Sequence, residues 1–238
     1  MKKITVLSIM LLTIIATTSF ANGPKKKKKV SGFQGSITYK ITYEGRELTT
    51  QEETQLPNKK VVYYSGAEEV EKQIAPMGSF FTVINHETNE FTIVINQMGN
   101  TMYGQWIKEE KSDSAKAAEK PDINIEKLEG SKTIAGYKCK KANVTVKDKK
   151  GNEQKMLVYY TEELKSPFPD KDFDIGGIVL QAETLLGEED DDEALTQVIT
   201  AIEVKEGKVK KKEYAVPAGA TKIEKDKFMQ LLGGNIEE

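Results

Sequence analysis

The 238-residue chain is poor in the residues that most often carry chemistry: it has one Cys, one His and one Trp. A single cysteine, Cys139, excludes an intramolecular disulfide and a cysteine-rich zinc site. A single histidine, His86, excludes a two-histidine metal motif. Of 35 basic residues only Arg46 is arginine, the side chain that clamps carboxylates and phosphates through paired hydrogen bonds. That skew toward lysine is typical of AT-rich coding, as in many Bacteroidota. The formal charge of −2 gives no electrostatic case for nucleic-acid binding. No motif indicates a cofactor, and no spacing singles out a catalytic group.

What is present begins with an export pattern. Residues 1–21 read MKKITVLSIMLLTIIATTSFA, a short basic start followed by an apolar stretch. Small residues, Ser19 and Ala21, stand where cleavage after Ala21 requires them. The apolar stretch falls short of the roughly 20 residues a membrane-spanning helix needs. We therefore expect residues 1–21 to be a signal peptide. Its removal takes away 21 of 238 residues, Lys2 and Lys3 among them, and shifts the charge from −2 to −4. The mature product is expected in the periplasm or outside the cell, with no transmembrane span. Residues 22–32 then read as a flexible arm, with five consecutive lysines at 25–29. Such an arm is solvated, or is attracted to an anionic lipid or polysaccharide.

Residues 33–238 read as one β-rich domain. Ile37, Tyr39, Ile41 and Tyr43 alternate with Ser36, Thr38, Lys40 and Thr42, the period of a half-buried strand. Residues 45–58 are polar and contain Pro57, which suggests a loop. Strands follow at 59–65, 79–85, 90–96 and 101–108, while 67–75 fits a short helix or a strand. Residues 109–121 are polar and predict a mobile loop between two β-rich halves, neither with a complete core. Further strands are expected at 122–128, 131–147, 153–161 and 178–186. Residues 195–206 and 208–216 are expected as a last hairpin around Gly207. Residues 221–232 place Ile223, Phe228, Leu231 and Leu232 on one helical face before Gly233-Gly234, which predicts a terminal amphipathic helix. Short turns between many strands imply a mainly antiparallel sheet, and accumulated twist curls such a sheet. The expected fold is thus mainly β: a curved antiparallel sheet, an open half-barrel, with a C-terminal helix and few others.

Four segments in order resemble an exported bacterial family, domain of unknown function 4412. They are Phe33-x-Gly35-x-Ile37-x-Tyr39, the run from Thr133 through Gly136 and Cys139 to Lys141, the strand and loop from Val158 to Leu164, and Val216-Pro217-Ala218-Gly219. The pattern is also similar to the LolA/LolB-like group. That resemblance implies an open β half-barrel closed by helices, which carries lipoproteins or lipids in a hydrophobic concavity. It transfers no catalytic residue. Residues 175–180 (IGGIVL) resemble in part the glycine-rich motif of the GLPGLI proteins, without its Leu-Pro.

Phe80, Phe81, Met98, Met102, Tyr103 and Trp106 concentrate aromatic and thioether groups in three neighbouring strands. They are candidates to line a site for an apolar ligand, or are ordinary core. Asp170, Asp172 and Asp174 alternate before glycine, as hard oxygen ligands for calcium do. Ile175 stands where such a loop needs Gly, and Gln181 where it needs Glu. The acidic run at 188–193 is a solvated loop or a weak cation site. Cys139 reads as a small buried residue, and a nucleophilic pair with His86 is the alternative. His86 itself reads as a solvated turn residue. These features favour a non-enzymatic envelope protein that binds an apolar ligand, a lipid or a lipoprotein. The alternatives are an interaction protein with a filled core, and a carboxylate-based hydrolase.

Overall fold

A computed structural model describes residues 31–107, 122–147, 151–169, 173–187 and 194–231. The expected signal peptide, most of the expected lysine arm, the loop expected at 109–121, the acidic run 188–193, Asp170 and Asp172 lie outside the described residues. The fold is mainly β, one curved open sheet of twelve strands in the order β12-β6-β5-β4-β3-β2-β1-β11-β10-β9-β8-β7. The first six strands are β1 (Gly35–Glu44), β2 (Lys59–Ser65), β3 (Glu68–Ala75), β4 (Gly78–Asn85), β5 (Glu90–Gln97) and β6 (Asn100–Ile107). They form one antiparallel meander. A second meander runs through β7 (Asp122–Ile134), β8 (Tyr137–Lys147), β9 (Glu153–Thr161), β10 (Ile178–Leu186) and β11 (Leu195–Glu206). The halves merge where β1 pairs with β11, so neither half needs a core of its own.

One face of this sheet is the inner face. Val62 on β2 and Ile134 on β7 belong to the same buried cluster, with Ile37, Leu180, Ala201 and Cys139. β11 and β7 touch although four places in the strand order separate them, so the sheet curves. Tyr137 Oη donates to Glu206 Oε1 at 3.3 Å across the curve. On β7–β9 the outer face is polar, with Asn124, Glu126, Asn143 and Thr145 around a shallow depression.

Several local features differ from the sequence reading. Residues 45–58 are not wholly loop: α1 (Thr50–Gln55) begins with a capping box in which Thr49 and Glu52 exchange hydrogen bonds. Residues 67–75 are strand. The strand expected at 131–147 is broken by a tight turn at Ala135 (φ 48°) and Gly136 (φ 89°), while Glu129-Gly130 is a bulge within β7. Both central residues at positive φ suit the twist of a two-residue hairpin. Residues 208–216 form no hairpin strand, because β1 and β10 already occupy both edges of β11. Instead they lie on the outer face, with a 3₁₀ turn at Lys211–Glu213. Tyr214 packs there with Phe81 and Val94 and donates to Glu68 Oε2 at 2.8 Å. The terminal helix is shorter than expected: α2 (Lys225–Leu231) follows β12 (Thr221–Lys222), which pairs in parallel with β6.

Candidate functional site

Alternation along each strand sorts the six apolar candidates onto two faces. Phe80, Met102 and Trp106 stand on the inner face, in the rungs Phe80–Ile95–Met102 and Ile84–Phe91–Trp106. Phe81 and Tyr103 stand on the outer face, packed with Tyr214. Met98 occupies the β5–β6 turn at φ 51° and is 76% exposed. The structure therefore does not gather the six around one ligand. Neighbours in sequence on a strand, such as Phe80 and Phe81, cannot share a face.

On the inner face, α2 sets Phe228, fully buried, over Phe80 and Ile93. Gly104 makes room for it: a Cβ there would lie 3.0 Å from the Phe228 ring and 2.9 Å from that of Trp106. Beside this socket the rung Ile84–Phe91–Trp106 is only half-buried. Phe91 and Trp106 stack obliquely with ring centres 5.3 Å apart. This leaves a row of three apolar side chains partly open to solvent, leading from the β6 edge toward β3.

At β3 the chemistry changes. Glu69, Glu71 and Gln73 all project to the inner face, beside Tyr64, Val62 and Lys60 of β2. Lys60, Glu69, Glu71 and Gln73 are all buried. Lys60 Nζ lies 2.8 Å from Glu71 Oε1, and Gln73 Nε2 donates to the same oxygen at 3.2 Å. His86 Nε2 lies 3.0 Å from Glu69 Oε2, with both side chains 8% exposed. The imidazole also stacks on Phe168 at 3.8 Å between centres, 12° from parallel. Burial pushes the Glu69 carboxyl above the usual carboxylate value, though His86 opposes it. Burial and then Glu71 push the Tyr39 hydroxyl up, and burial and then Glu69 do the same to Tyr64. Tyr39 Oη donates to Val179 O at 3.0 Å. Burial also raises Tyr43, to about 12, against the hydrogen bond from Gln197.

This cluster was not visible from the sequence. Glu69, Glu71 and Gln73 alternate at period two, which would have put them on a solvated face. Their burial comes from distant partners: Lys60 packs against Glu71, and His86, itself stacked on Phe168, against Glu69. His86 is correspondingly not a solvated turn residue but a packed one. Its partner is Glu69, whereas the Cys139 thiol donates to Tyr137 O at 3.5 Å. Cys139 is fully buried, and burial pushes its thiol up, against the needs of a nucleophile. Asp174 accepts from Gly176 N at 2.9 Å and so closes its own turn. Among the described residues no three His, Cys, Asp or Glu side chains are grouped to hold a metal ion. No described helix is long and apolar enough to cross a membrane.

No family model and no curated protein matches the chain. Among solved structures it is similar to that titled "Crystal structure of MucB", at 14% identity and a TM-score of 0.32, over 80% of this chain. The chain spans 58% of the length of that neighbour. A likeness this distant carries no weight beside the geometry above.

Proposed function

We propose that this is an exported, non-enzymatic envelope protein that holds an apolar or amphiphilic ligand on the inner face of its curved sheet. The ligand class is a lipid or the lipid part of a lipoprotein. One observation carries the reading: the row Ile84–Phe91–Trp106 lines the concavity yet is only half-buried. Core residues in a closed sheet are buried further, as Ile37 and Leu180 are. The ordered resemblance to domain of unknown function 4412, and the leader at 1–21, support an envelope location. Hydrolysis finds less support, because the buried carboxylates Glu69 and Glu71 are each engaged by a neighbour of opposite sign or by an imidazole.

Native mass spectrometry of the protein purified from its own envelope tests this. Co-purified lipid together with binding of a fluorescent fatty acid or fatty alcohol is the expected result. A clean apo mass with no binding of either probe overturns the reading. It would favour the interaction protein with a filled core, for which the buried Phe228 plug is the supporting feature.

A further inference from the structure

We infer that one end of the sheet docks on an anionic phospholipid bilayer through two lysine runs that the fold brings together, residues 25–29 and 208–212. The first holds five lysines; the second holds Lys208, Lys210, Lys211 and Lys212 around Val209, with no acid in either. The described chain begins at Ser31, and Gln34 anchors it. Gln34 O accepts from Gly207 N at 2.9 Å, and Gln34 Oε1 accepts from Gly66 N at 2.7 Å. The second run starts directly after Gly207 and reaches back to the Gly66 turn, where Lys211 pairs with Glu68. Val209 and Tyr214 pack on the outer face and hold that run in place, with all four of its lysines exposed. Five residues of extended chain span at most about 18 Å, so covalent connection alone keeps Lys29 that close to Gln34.

Charge along the chain is strongly polarised. The expected mature chain carries −4 and includes these nine lysines, so its other residues sum to −13. An anionic surface repels that body and attracts the lysine end, which orients the approach. Lysine suits the task, because its compact hydrated charge answers a diffuse surface potential, whereas clamping single phosphates calls for arginine. The one arginine, Arg46, is paired with Glu52 at 2.6 Å. A bilayer fits better than an acidic polysaccharide because of what lies at the same end of the sheet. Ser65–Glu68–Asn85–Glu90–Ile107 is the last rung of β2 to β6 there. The half-open row Ile84–Phe91–Trp106 is the next rung in. Docking through the lysines thus turns the apolar row toward the membrane, the source of its ligand. In this choice of partner the inference rests on the reading above.

Co-sedimentation of the full mature chain with phosphatidylcholine vesicles, with and without phosphatidylglycerol, tests this. Binding is expected only with phosphatidylglycerol present, and is lost at high salt. Each lysine at the surface is worth about fivefold in affinity. Lys208→Gln, Lys210→Gln and Lys212→Gln together should therefore weaken binding about a hundredfold, and deletion of 25–29 at least as much. Lys59, Lys147 and Lys155 stand toward the opposite end of the sheet. Changing those three to Gln should alter binding by less than about twofold. No binding to anionic vesicles overturns the inference, as does a 208–212 variant that binds like wild type or a far-end variant that loses as much. Tighter binding to a soluble polyuronate at equal anionic charge also overturns it and assigns the lysines to a polysaccharide. A fluorescent fatty alcohol offered without vesicles separates this inference from the reading it rests on. It should bind wild type and the lysine variants alike. If it binds none of them while anionic vesicles are still bound, the apolar-ligand reading fails and the lysine end stands.

Discussion

Replacing Lys60 by methionine isolates the energetic logic of the inner-face cluster. The ammonium lies 2.8 Å from Glu71 Oε1, with the two side chains 8% and 7% exposed. At an effective dielectric of about 20 the Coulomb attraction at that distance is about 6 kcal/mol. Desolvation costs several kcal/mol for each ion, so the pair together is close to neutral. Removing one partner is different. Lys60→Met keeps the apolar stem but takes the ammonium away from the buried Glu71 carboxylate, and about 3–5 kcal/mol of stability should be lost. Glu71→Leu should cost less, because the long lysine stem can carry its charge toward solvent. The double variant Lys60→Met, Glu71→Leu should lie between wild-type stability and about 4 kcal/mol above it. The coupling between the two sites should then exceed about 3 kcal/mol, at the upper limit for touching residues. Urea unfolding at pH 7, with unchanged slope and shifted midpoint, measures all four corners. A loss below about 1 kcal/mol for Lys60→Met, or a double variant that loses the sum of the singles, would refute a buried and mutually dependent pair.

Three further outcomes follow from named groups. Phe228→Ala removes a ring that elsewhere in a core is worth about 3–5 kcal/mol. It sits on a seven-residue helix behind a two-residue strand, so release should be local: amide exchange at 223–231 should accelerate and Trp106 emission shift red, and an unchanged emission would contradict the socket. Glu69 has a raised folded-state pKa, so its stabilising contribution is complete below the ordinary carboxylate value and is lost as pH rises through the folded one. Glu69→Gln should therefore flatten the decline of stability above about pH 4.5, and unfolding curves across a pH series that keep the wild-type slope would count against this. Cys139 should resist iodoacetamide in the folded state and react fully in denaturant; prompt native labelling, read by mass, would show that it is not buried.

The strands were legible because their apolar residues are β-branched or aromatic and alternate cleanly, as in Ile37–Tyr43. The antiparallel order within each half followed from short turns such as Gly66 and Asn89. The α1 helix carried a readable signal in Thr49-x-x-Glu52, but a polar stretch next to Pro57 masked it. The 208–216 segment was misread for a non-local reason. Its alternation suits a strand, yet β11 had no free edge to offer. The site was the least legible part. Phe80 and Phe81 look alike in sequence but face opposite ways, and Glu69, Glu71 and Gln73 look like a solvated face. Both faces of β3 to β5 are buried, the outer one under Tyr214 of the 208–216 segment, and no single strand encodes such a cover.

Connectivity helps to set that curvature. β6 and β7 follow one another in the chain but lie ten strand intervals apart in the sheet. At about 4.8 Å per interval a flat sheet would separate them by about 48 Å. From Ile107 to Asp122 there are fifteen peptide steps, which reach about 50–54 Å when fully extended. A flat sheet would thus demand a nearly taut connection, whereas each increment of curvature brings the two edges nearer and relaxes it. Strand twist of about 20–25° per neighbour works in the same direction. The open face that results is wide because β6 and β7 do not pair with each other: among the described residues the far edge of β6 is strand-paired only at Met102 and Tyr103, by β12. The outer edge of β7 is blunted by Asp122, Glu126, Lys127 and Glu129, which discourages closure or edge-to-edge pairing. A concavity curved by connectivity and edged by charge leaves the apolar row beside Glu69 half-open to solvent.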